Sequence, residues 1–139
     1  LYALGNEMRS EHGSGVLAKK VLEQLSSGKN FVIDSIRHPD EVGVFRSSKQ
    51  FSFIEVYADP RIRFERMLKR AREKDPTTFE AFQELEAREA KSSESTSQRL
   101  DATIKLADYR VSSDQNLPGL YHDLDELLAK LQKLEHSRA

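Results

Sequence analysis

Cysteine is absent from the 139 residues, which excludes disulfides and thiolate metal sites. An excess of charge of either sign is lacking too. Lys and Arg number 22 against 23 Asp and Glu, for a net charge of −1. That balance gives no global electrostatic case for nucleic acid or an anionic membrane as a partner. No stretch resembles a signal peptide or is apolar enough to span a bilayer, and a cytoplasmic location is the expectation. The four histidines, His12, His38, His122 and His136, are scattered without ligand spacing to acids or to one another. No serine-protease or metallohydrolase constellation is present. The remainder is 37% hydrophobic and 32% charged, long enough for a single domain over 1–139 with one core and a heavily charged surface.

The most informative stretch is Phe31-Val32-Ile33-Asp34-Ser35-Ile36-Arg37. Its apolar run predicts a short strand buried on both faces. The run breaks at once into Asp34, Arg37 and Pro39, placing an acid and a guanidinium just past a strand end. In open α/β sheets that edge binds ligands; the plain alternative is a solvated turn in which Asp34 caps a neighbour. Before it, helices are predicted over residues 1–11 and 16–25, separated by Gly13-Ser14-Gly15. Leu17, Val21 and Leu25 form the stripe of the second, with Ala18 and Leu22 beside it. After it, Pro39-Asp40-Glu41 opens a short helix by N-terminal chemistry, with Val42, Val44 and Phe45 as its apolar contacts.

A second buried strand is predicted over 51–57. Asp59 then serves as N-cap and Pro60 as first helical residue of a long helix, with Phe64, Met67, Leu68 and Ala71 inward. Arg63, Arg66 and Arg70 share another face of it. Thr77 to Glu80 matches a capping box, opening a helix with Phe79, Phe82 and Leu85 as contacts. Residues 92–97 read as a polar loop. A short helix over 99–106 with Leu100 and Ile104 inward, a weaker strand over 109–112 and a long amphipathic helix from Leu117 complete the chain. The last helix has two readings, one facing its own sheet and one forming a dimer seam. Strands alternating with helices predict a parallel sheet with right-handed crossovers in a three-layer α/β fold.

In order along the chain, Leu4 to Arg9, Gly15 to Lys19, Val32 to Val42 and Ala107 to Val111 resemble the P-loop nucleotide-kinase superfamily, most of all its adenylate-kinase-like and dephospho-CoA-kinase-like members. Kinase-like domains of this type are also fused to nucleotide deaminases. The Gly-x-x-x-x-Gly-Lys-Ser/Thr loop of that superfamily is absent, since Gly28-Lys29 is followed by Asn30. The resemblance places that loop and its central first strand ahead of the position matching Leu1. The expectation is therefore an N-terminally shortened domain, and no ATP-dependent transfer by a chain that truly starts at Leu1. In the family's strand order the missing strand lies between the Phe31 and Phe51 strands. Either those two pair directly, or a segment from outside 1–139 fills the gap.

The resemblance implies transfer of the terminal ATP phosphate to a nucleotide or nucleoside-type acceptor, with Mg²⁺. Its partners would be a nucleotide donor and a small-molecule acceptor. Arg9 matches the acceptor-helix arginine and Arg37 the acceptor-contacting arginine after the third strand. Asp34 matches the acid at that strand's end, near Mg²⁺ through water or near the acceptor. Arg66 and Arg70 match the arginines at the base of the mobile lid, to which the 92–97 loop would be adjacent, and Asn116 the contact to the donor base. Guanidinium groups suit this chemistry because they grip phosphate oxygens in pairs and stay charged. The plain readings stand beside these: Arg9 between Glu7 and Glu11 as a solvated helix face, and Arg63, Arg66 and Arg70 as surface ion-pair partners of Glu65 and Glu73. The rival reading of the whole is a catalytically inactive kinase-like module that binds a nucleotide or a protein, or the regulatory half of a larger deaminase-type enzyme.

Overall fold

The computed structural model describes residues 2–48, 50–72, 75–90 and 99–136. The order is α1 (Tyr2–His12), α2 (Val16–Leu22), α3 (Pro39–Arg46), β1 (Ile54–Tyr57), α4 (Pro60–Arg70), α5 (Phe79–Ala90), α6 (Leu100–Ile104), β2 (Tyr109–Ser112) and α7 (Leu117–His136). The protein is mixed α/β, and its sheet is a parallel pair, β1 with β2. The predicted 92–97 loop lies outside the described residues. The chain divides into two compact units, Leu1–Phe53 with Leu85–Ala107, and Ile54–Glu84 with Asp108–Ala139.

The first unit is helical. Gly13 takes φ +86° between α1 and α2, a value that favours glycine. Gly15 lies so close to α3 that an added Cβ would meet Val44 Cγ2 at 2.7 Å. This lets α2 pack on α3, and α6 also packs on α3. The core is Val16, Ala18, Val42 and Phe45, with Thr103 fully enclosed. Helix α2 stops at Leu22, short of the expected Leu25. Its end tightens into i→i+3 bonds from Gln24 to Val21 and from Leu25 to Leu22. Its buried positions are Val16 and Ala18 rather than the Leu17 stripe, because α3 is met through Gly15. In α6 the side chain fully enclosed is Thr103, not Leu100 or Ile104; its hydroxyl donates back to the Arg99 carbonyl at 2.7 Å.

The predicted strand over 31–33 does not form. These residues are irregular, Val32 is 99% exposed and Phe31 45%. A buried strand is defined by its partners, and none of the described strands pairs with this run. Direct pairing with the 51–57 strand, one of the two expected arrangements, is accordingly not seen among the described residues. The second predicted strand is shorter than expected and is not buried along its length, since Val56 and Tyr57 are exposed. Phe51 and Phe53 precede it and stack in series on Phe45, with centroids 5.3 Å and 6.4 Å apart.

The second unit holds the sheet. Ile54, Glu55, Val56 and Tyr57 register with Tyr109, Arg110, Val111 and Ser112. On one face Arg110 Nε donates to Glu55 at 2.5 Å, and its guanidinium lies 4.6 Å from the Tyr57 ring centroid. Helix α7 packs on β2. Asp59 caps α4, accepting from Arg61 N at 2.8 Å, with Pro60 at the first helical position as expected. Helix α4 ends at Arg70, and Ala71 takes a left-handed φ of 51° there. Met67 is buried with Ala58, Phe82 and Val111, whereas Leu68 is exposed. Phe64 lies in the α4 interior as expected, its ring meeting Phe79 and Phe82 of α5, each at 5.6 Å. Thr78, not Thr77, caps α5, through Ala81 N at 3.3 Å. Along α7 the leucine-rich pattern is wider than the face it covers. Leu117, Tyr121, Leu128 and Leu134 remain exposed, while Leu120, Leu124, Leu127 and Leu131 are half-buried.

Candidate functional site

In the first unit Arg9 and the backbone of Arg37 converge on one carboxylate. Helix α3 opens with His38 as N-cap, Pro39 next and Glu41 at the third position, forming a capping box. The His38 ring, nearly fully buried, accepts from Asp40 N at 3.2 Å through Nδ1. Glu41 reaches back. Its Oε2 accepts from the backbone N–H of Arg37 at 2.9 Å and of His38 at 3.2 Å. Its Oε1 accepts from the Arg9 guanidinium at 3.1 Å, and both side chains are only 6% exposed. One buried charge thus has three donors from two elements, which is how a buried ion pair offsets its desolvation.

Arg9 is therefore not on a polar helix face. It projects from α1 into this junction, also donating to Asn6 Oδ1 at 3.4 Å, while its Nε is buried without a partner. Its distant partner prevails over the nearby Glu7 and Glu11, because only Glu41 offers a buried, backbone-anchored carboxylate.

Arg37 is held from both sides. Its N–H donates to Glu41 and its carbonyl accepts from Arg99 N at 2.9 Å. Upstream, Ser35 takes φ +63°, an uncommon conformation for a residue with a Cβ. Asp34, just before it, is exposed. So Asp34 and Arg37 lie in an irregular segment whose Arg37 end is anchored on Glu41 of α3 and on Arg99, just ahead of α6. Reading along the sequence missed Glu41 and Arg99. Glu41 had a local signal, the glutamate three residues into a Pro-marked helix; Arg99 is joined to Arg37 only through the fold.

The second unit carries the other candidates. Parallel β1 and β2 end at one edge, extended by Ser113 N donating to the Tyr57 carbonyl at 2.7 Å. Two helices start from it, α4 after Asp59 and α7 after Asn116. Asp114 ties these starts together: Asp59 N donates to its Oδ1 at 2.6 Å and Ser112 Oγ to its Oδ2 at 3.0 Å. Arg66 reaches back from α4, donating to Ser113 Oγ at 2.7 Å and the Ser113 carbonyl at 2.5 Å. Arg63 donates to the Ala58 carbonyl. Arg70 turns elsewhere, pairing with Asp75 at 2.9 Å, so Arg66 and Arg70 are not joined on a common partner. Asn116 serves as a helix cap, its Oδ1 accepting from Gly119 N at 3.0 Å. Among the described residues no three His, Asp or Glu side chains are grouped to hold a metal ion. None of the described helices is long and apolar enough to cross a membrane.

These features define an α/β protein with a parallel strand pair and two helices starting from its carboxyl edge. The chain is 33% identical over 133 residues to a UPF0200 protein of Hyperthermus butylicus, covering 94% of this chain and 68% of that one. It is 34% identical over 131 residues to a UPF0200 protein of Thermococcus onnurineus, covering 89% and 68%. It is 31% identical over 135 residues to one of Thermococcus kodakarensis, covering 89% and 70%. The chain belongs to the UPF0200 family. No family model and no solved structure matches it.

Proposed function

We propose that the intact protein is a P-loop nucleotide-kinase-like phosphotransferase moving the terminal phosphate of ATP to a nucleotide or nucleoside-type acceptor. The observation that supports this best is the Asp34–Arg37 segment. An exposed acid stands three residues before an arginine there, with the arginine backbone held at both its N–H and its carbonyl. Phosphoryl transfer asks a protein mainly for such fixed positioning and for positive charge. In this reading β1 and β2 are neighbouring strands of the three-layer parallel sheet of that superfamily.

An acceptor oxygen attacks the γ-phosphorus, the bond to the bridging oxygen breaks, and ADP leaves. Arg37 holds the acceptor. Arg9 stands behind it in the Glu41 junction. The donor roles of Arg66, Arg70 and the backbone at Asn116 rest on the family resemblance alone. Mg²⁺ keeps most of its waters and takes few protein ligands, so the lone exposed Asp34 fits it through water without a cluster of acids. When bound, the ion would neutralise charge on the transferred phosphates.

A specific observation favours a second reading, a nucleotide- or protein-binding module without transfer. The guanidinium groups of Arg9, Arg66 and Arg70 already engage protein groups. The intact protein, incubated with γ-labelled ATP, Mg²⁺ and a panel of nucleosides and nucleoside monophosphates, separates the two. Label transferred to an acceptor is expected. Nucleotide binding in equilibrium dialysis without any transfer would select the nucleotide-binding module, and neither binding nor transfer would remove both of these, leaving the protein-binding module.

A further inference from the structure

Resting on the phosphotransferase reading, we propose that Glu41 is a positioning residue that sets the aim of Arg37. A helix-capping glutamate ordinarily needs only its own N-cap amide. Glu41 takes two consecutive amides on one oxygen, those of Arg37 and His38. Its other oxygen faces the guanidinium of Arg9, 32 residues upstream. The two oxygens therefore do separate jobs. Oε2 fixes the peptide planes on either side of Arg37 Cα, and the Arg99 amide fixes the Arg37 carbonyl. Oε1 is held in place by a buried positive charge that cannot deprotonate. With its backbone held at both its N–H and its carbonyl, Arg37 projects its side chain from a fixed point, so part of the ordering an anion would impose is already done.

This division predicts that the two jobs separate by mutation. Glu41→Gln retains a carbonyl oxygen for the amides but turns an amide N–H toward Arg9, stranding a buried guanidinium. Glu41→Ala loses both. The test uses the full chain, with hydrogen exchange at the Arg37 and His38 amides, urea unfolding, and inorganic pyrophosphate as the anionic probe. Both variants are expected to lose global stability. Exchange at the two amides accelerates about 10-fold in Glu41→Ala beyond what its stability loss causes, and stays near wild type in Glu41→Gln. Pyrophosphate affinity falls about 10-fold in Glu41→Ala, little in Glu41→Gln, and no further in Glu41→Ala/Arg37→Ala than in Arg37→Ala alone. Affinity that follows global stability across the two variants overturns the proposal, since a merely structural glutamate would behave so. Unchanged local exchange in Glu41→Ala, or additive effects with Arg37→Ala, overturns it as well. If Glu41→Ala does not fold, Glu41→Asp, one methylene too short, replaces it in every arm. If wild-type protein binds no pyrophosphate, the phosphotransferase reading fails, and the exchange arm alone decides whether Glu41 sets the Arg37 backbone.

Discussion

The Arg9–Glu41 pair shows how burial changes what a charged residue is worth. Both side chains are 6% exposed, so removing one charge leaves the other enclosed. Arg9→Met should therefore cost about 3 kcal/mol, near the lower end for a broken buried pair, because Glu41 keeps its two backbone donors. Urea unfolding measures it; a loss under about 0.5 kcal/mol would place the pair with exposed ion pairs, which contribute little. From the sequence Arg9 had two readings, solvated face or acceptor ligand. Its neighbours Glu7 and Glu11 could not choose between them, since the partner that decides lies on another helix. Glu41 was nearer to being legible. A proline-marked helix start with a glutamate at the third position is a local signature, and only its reach to Arg37 and Arg9 needed the fold.

Helix starts were readable because caps are made by residues adjacent in sequence. Asp59-Pro60 and Pro39 each open the helix they were assigned, and β2 spans the four residues expected. Asp59→Ala should cost about 1 kcal/mol by stranding the Arg61 amide, read from the shift in denaturation midpoint. Close approach was not readable: nothing beside Gly15 announces that Val44 will stand where its Cβ would be. Gly15→Ala should destabilise by about 1–3 kcal/mol, as overpacking does when the neighbour is a stiff β-branched side chain. Thermal unfolding that matches wild type would mean that α2 and α3 slide apart freely. The strand expected over 31–33 failed for the opposite reason. Three apolar residues supply a tendency, but a strand exists through its ladder, and no described strand provides one. The leucines of α7 likewise reported amphipathicity without saying how wide a face would be covered.

For the whole molecule, alternation of helix and strand was enough to expect an α/β chain with parallel pairing, and the β1–β2 pair meets that. The three-layer sheet and the kinase-like activity remain proposals about the intact protein. The centre of the activity proposal is Arg37, whose backbone is held by Glu41 and Arg99. The direct measurement is kcat/KM for phosphoryl transfer from ATP by intact wild-type protein and Arg37→Ala, using whichever acceptor the panel identifies. A fall of about 10²-fold, or about 3 kcal/mol of transition-state stabilisation, is expected where a guanidinium contacts the reacting phosphates. Values for Arg37→Ala within error of wild type, with the fold intact, would contradict the assignment of this segment as the acceptor site.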